Sequence, residues 1–85
     1  MNTRTFKKVV VDLPRISQLI SDAKDLAKKE KLDISEEKAE KYQMKTLWKN
    51  KRPLYKRYKY KSGTWYFHDF ENQINYQYIP SQGQA

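Results

Sequence analysis

The chain has 85 residues, a formal net charge of +8, no cysteine and a single histidine, His68. That length supports one small domain, able to bury roughly 60–65 % of the surface its unfolded chain exposes. The missing thiols exclude disulfides and thiolate metal sites, and one imidazole alone makes a zinc site improbable.

Hydrophobic residues make up 38 % of the chain and aromatics 14 %, with only two glycines and three prolines, a composition that favours folding over disorder. The longest β-branched run, Val9-Val10-Val11, falls far short of a membrane span or signal segment. The expected setting is therefore cytoplasmic, with no membrane partner.

Residues 5–12 read as a strand, rich in valine and ended by Leu13-Pro14. Pro14 also suits the first turn of a helix. From there to about Lys31, Ile16, Leu19, Ile20, Ala23, Leu26 and Ala27 fall on one helical stripe. Asp33 and Glu36 have capping-box spacing, and Ser35 precedes two carboxylates that favour a helix start. A short helix is expected near 35–41, giving way to a strand over 42–49, where Tyr42, Met44, Thr46 and Trp48 alternate. Asn50-Lys51-Arg52-Pro53 reads as a break. Strands follow at 54–61, 64–68 and 74–79, although Phe67, Phe70, Ile74 and Tyr78 also fit a helical stripe over 69–79. The expected fold class is α+β, with one amphipathic helix (14–31) packed on a small antiparallel sheet. Residues 1–79 form the domain and 80–85 a polar tail.

Ser62-Gly63 reads as a two-residue hairpin turn. Counting outward pairs Tyr60 with Trp65 and Tyr58 with Phe67, which gathers four rings on one face. Arg57, Lys59, Lys61, Thr64, Tyr66 and His68 then share the other. The rings are expected to pack on the helix, leaving a basic ribbon exposed.

Charge placement sharpens that expectation. Residues 1–42 hold ten bases and eight acids, whereas residues 43–85 hold eight bases and two acids, and all eight bases lie between Lys45 and Lys61. A cationic stretch of this kind suits a polyanion, because phosphate neutralisation releases counterions, and exposed rings stack on unpaired bases. The expected function is non-enzymatic nucleic-acid binding, with Lys49, Lys51, Arg52, Lys56, Arg57, Lys59 and Lys61 on phosphates of DNA or RNA and Tyr66 stacking. Enzymatic chemistry is not expected: there is no glycine-rich phosphate loop, no nucleophile–base–orienter set, and only Asp69 and Glu71 near the basic stretch. No cofactor is implied.

Two alternatives remain, the second of another class. Thr5-Phe-Lys-Lys-Val-Val-Val-Asp-Leu-Pro14, the helix to Lys31 and a second helix over Ser35–Trp48 weakly resemble ribbon-helix-helix DNA-binding proteins. That resemblance covers about half the chain and implies a homodimeric regulator with Thr5 and Lys7 towards the major groove. The other alternative is a small viral or mobile-element protein that inhibits or adapts a partner protein through an acidic surface on that partner; tyrosine, tryptophan and arginine are favoured anchors there.

Overall fold

The computed structural model describes residues 6–80. The elements run β1 (Lys7–Val10), α1 (Leu13–Glu30), β2 (Asp33–Lys38), β3 (Tyr42–Lys49), β4 (Arg52–Tyr60), β5 (Trp65–Asp69) and β6 (Ile74–Tyr78). The fold is α+β: one helix lies on a single sheet of six strands in the order β1-β6-β5-β4-β3-β2. No helix among the described residues is long and apolar enough to cross a membrane.

The helix forms where its stripe predicts. Asp12 caps it, its Oδ1 accepting from the Arg15 backbone N–H at 3.0 Å, and a proline occupies the first turn. Lys28 and Lys29 sit in the last turn, where cations suit the helix dipole. Ile16, Ile20, Ala23 and Ala27 are buried, and the core joins Ile16, Ile20 and Ala23 to Phe67. Val11, Leu19, Leu47, Tyr55, Trp65, Tyr76 and Tyr78 pack around that cluster. α1 rests chiefly on β5 and β6.

Several expectations need correction. The short helix expected near 35–41 is the edge strand β2, paired antiparallel with β3. Its six residues are exposed, so no buried face imposes alternation, and Ser35-Glu36-Glu37 mimics a helix start. The second helix implied by the ribbon-helix-helix resemblance is therefore two strands. The N-terminal strand pairs within its own chain, parallel to β6, which makes the sheet mixed and not purely antiparallel. Thr5, given a DNA contact by that resemblance, and residues 81–85 of the expected tail lie outside the described residues. Asp69 closes β5, residues 70–73 form a turn and β6 follows, so segment 69–79 holds no helix. Both sheet edges carry charged side chains, a pattern that discourages further strand addition.

The break expected at 50–53 is a two-residue turn. Asn50 and Lys51 have φ of 54° and 63°, and Lys49 pairs with Arg52 across them. Two successive positive φ values make a type I′ hairpin. Pro53 belongs to β4, where the register shifts between Leu47 and Trp48, a bulge that tolerates its missing N–H. Lysine is a costly resident of the left-handed region. Lys51→Gly is expected to raise stability by about 1 kcal/mol, read as a higher urea midpoint at unchanged m-value.

The turn at Gly63 differs from expectation by one residue, and this has the largest consequence. Tyr60 donates its N–H to Thr64 O and accepts from Gly63 N–H, so Lys61-Ser62-Gly63 is a three-residue loop. Gly63 has φ of 97°, and a Cβ there would sit 3.0 Å from Pro80 Cγ, so both conformation and space call for glycine. The resulting register pairs Lys59 with Trp65, Arg57 with Phe67 and Tyr58 with Tyr66. A slip of one residue exchanges the faces of one strand relative to the other.

Candidate functional site

Because neighbours across the strands share a face, the register fixes which side chains meet. Trp65, Phe67 and Asp69 point to the helix side, with Tyr55, Arg57 and Lys59 beside them on β4. Tyr58, Tyr60, Tyr66 and His68 lie on the face without a helix, together with Tyr42, Met44 and Thr46 of β3. Asn75 and Gln77 of β6 and Lys8 of β1 complete that open face. The expected separation of a buried aromatic face from an exposed basic one is thus overturned. The helix side mixes Trp65 and Phe67 with Arg57 and Lys59, and the open side collects tyrosines.

Those open-face rings form a connected network. Tyr42 contacts Tyr58 and Tyr60, Tyr60 meets Tyr66 edge-on, Tyr58 meets His68, and His68 leads to Phe70 and Phe6. Tyr58 and Tyr60 stack with an interplanar angle of 20°, and neighbouring centroids stand 5.4–6.4 Å apart. These separations lie within the range in which aromatic pairs attract. All seven rings are partly exposed, so the platform is stabilised by its own packing while its outer surface meets solvent. Thr46, on the same face, is only 1 % exposed, which shows how closely side chains cover the sheet there.

Phe70 owes its position to a turn that sequence reasoning missed. Asp69 is 7 % exposed, and its carboxylate accepts from the Asn72 backbone N–H and from Asn72 Nδ2, each at 3.0 Å. This local clasp holds the Phe70–Gln73 turn, with Gln73 at φ 57° and the Phe70 N–H donating to Leu54 O. An Asp three residues before an Asn, between two strands, was the available signal.

The cations expected to act together are divided among four places. Lys56 is on the open face, its Nζ 6.0 Å from the Phe70 centroid. Tyr66 shares that face. Arg57 and Lys59 are on the helix side, Lys59 with its Nζ 5.0 Å from the Trp65 ring. Lys49, Lys51 and Arg52 stand at one end of the sheet, where Lys49 is paired with Glu30 at 3.0 Å. Lys61 stands at the other end, its backbone N–H bonded to Lys41 O. Lys8 and Lys41, absent from the expected set, gain importance through this arrangement, and only Lys56 and Tyr66 of the expected set share the open face. Among the described strand residues, the acidic side chains on that face are Asp33 and Glu37 of edge strand β2.

Electrostatics follow burial. His68 is pushed down from its ordinary pKa of 6.5, first by burial and second by Lys56, so it is neutral at pH 7. Tyr60 is raised by burial and by Tyr66, Tyr58 and Tyr42, which keeps the phenol protonated. The lowered imidazole has a stability consequence. Protonation is easier in the unfolded chain, so the favourable contribution present above about pH 6.5 is lost as pH falls through the folded-state value. Melting temperature is expected to drop between pH 7.5 and 5, and His68→Gln to flatten that drop.

Among the described residues no group of three or more His, Asp or Glu side chains is placed to hold a metal ion. No protein-family model, curated protein or solved structure matches the chain.

Proposed function

We propose that the protein binds single-stranded nucleic acid on the open face of its sheet, with bases on the tyrosine network and phosphates along β4. The observation that carries this reading is the coincidence of the connected rings with cations at both ends of one strand. Nine residues of β4 span roughly 27 Å. Lys51 stands at its start, Lys56 at its middle, and Lys61 with Lys41 at its end. Extended backbone and unstacked bases fit such a track better than a duplex does, because every base offers a π-face to a ring. Counterion release from the phosphates supplies the affinity, in keeping with a net charge of +8.

Fluorescence anisotropy with labelled oligo-dT and oligo-U, repeated over a salt series, tests the proposal. Four neutralised phosphates predict a log–log slope of about −3 for a single strand. Absence of binding below tens of micromolar at low salt would pass the role to an acidic protein partner, for which the same tyrosines are suitable anchors. A ribbon-helix-helix dimer draws no support from the fold, since β1 already pairs with β6.

A further inference from the structure

The helix side of the sheet carries a separate feature. A helix with its side chains is about 10–12 Å wide, close to the breadth of two strands, and α1 takes up the space over β5 and β6. The helix-side surface of β2, β3 and β4 is covered only in part, at Leu47 and Tyr55, and a cleft of about 370 Å³ runs between it and α1. Aliphatic side chains dominate the apolar lining: Ile20, Ala23 and Ala27 from the helix, Ile34 and Leu47 from the sheet. Ile34 is 59 % exposed there, an unusual placement for isoleucine in so small a protein.

Two cations line the same cleft. Lys45 and Arg57 are direct cross-strand partners, and Arg57 is half-buried with its Nε enclosed and lacking an acceptor. An enclosed donor without a partner costs stability that an incoming acceptor would restore. The neighbouring carboxylate, Glu36, stands opposite Lys45 but accepts from Gln43 Nε2, and among the described residues it makes no ion pair with either cation. On the helix wall Lys24 and Lys28 outnumber Asp25. A mostly apolar cleft of a few hundred Å³ with few oriented polar groups is the usual form of a small-ligand site.

We propose that this cleft binds an aliphatic carboxylate, its chain against the aliphatic wall and its carboxylate on the Arg57 guanidinium with Lys45 beside it. Charge complementarity selects the anion, and the planar guanidinium offers two parallel donors that match a carboxylate. The site is on the opposite side of the sheet from the proposed nucleic-acid face and does not depend on it.

Dodecanoate is the probe, titrated calorimetrically into the full chain below its micellar concentration, with dodecanol as the uncharged control. One saturable site is expected, with dodecanol weaker by roughly tenfold for loss of the charged hydrogen bonds. Arg57→Gln is expected to weaken dodecanoate by a similar factor, leaving dodecanol binding and the melting temperature near wild type. Ile34→Glu, at an exposed edge position that should fold normally, places a carboxylate in the cleft and weakens both. Equal affinity for the two probes, or insensitivity to Arg57→Gln, overturns the proposal. So does a self-associated protein that Ile34→Glu converts to monomer, or an acidic amphipathic peptide that needs Arg57 while dodecanoate fails to bind. Tyr66→Ala should leave dodecanoate binding unchanged whatever it does to oligonucleotides, so the two proposals fail separately.

Discussion

Phe67→Ala is expected to cost about 3–5 kcal/mol and to leave much of the protein unfolded at 25 °C. Phe67 is 3 % exposed, the one aromatic in the buried cluster, and it joins Ile16, Ile20 and Ala23 of the helix to the sheet. It also contacts Tyr55 at 5.3 Å and Tyr76 at 6.3 Å, so its removal opens a void flanked by three strands. Strand pairing holds the backbones of Tyr55 and Tyr76 in place, which limits how far their side chains can collapse into that void. A small domain has few other buried contacts to absorb the loss. Urea unfolding followed by circular dichroism reads the cost. A variant within 1 kcal/mol of wild type would show that the helix is not held through this residue.

Replacing Tyr60 and Tyr66 together with alanine is expected to lower affinity for oligo-dT on the order of 100-fold. Each base–ring stack contributes about 1–3 kcal/mol. The two rings meet edge-on at 5.6 Å, so their contributions are less than additive and fall near the lower end of the summed range. The same edge-to-face pair adds about 0.5–1.5 kcal/mol to folding, so the double variant should remain folded and merely melt earlier. The salt slope should stay near the wild-type value, since Lys41, Lys51, Lys56 and Lys61 are untouched. Unchanged affinity would remove the tyrosine face from the binding reaction.

Much of the fold can be read from residue patterns because one-sided burial leaves a periodic trace. The α1 stripe records contact with the core, and the alternation of Tyr42, Met44 and Thr46 in β3 records the ring-bearing open face. β2 leaves no such trace: every residue is exposed, and its capping-like Asp33, Ser35 and Glu36 compete with the strand reading. The parallel partner of β1 is also invisible locally, because it is supplied by the far end of the chain. The site was harder still. Its composition of cations and rings near residues 45–68 was legible, but the faces depended on loop length. Both a two-residue and a three-residue loop can hold Ser62-Gly63, and only the backbone bonds of Tyr60 with Gly63 and Thr64 decide between them. One extra residue moved Tyr58 and Tyr60 away from the helix and Arg57 and Lys59 towards it.

The strand order also bears on when this protein can acquire its shape. β6 follows the other five described strands in the chain, yet it lies between β1 and β5. Until residues 74–78 leave the ribosome, β1 has no neighbour to bond with and β5 stands as a raw edge. Assembly of the sheet therefore waits for residues 74–78, and a chain cut short before Ile74 would lack the strand that joins β1 to β5.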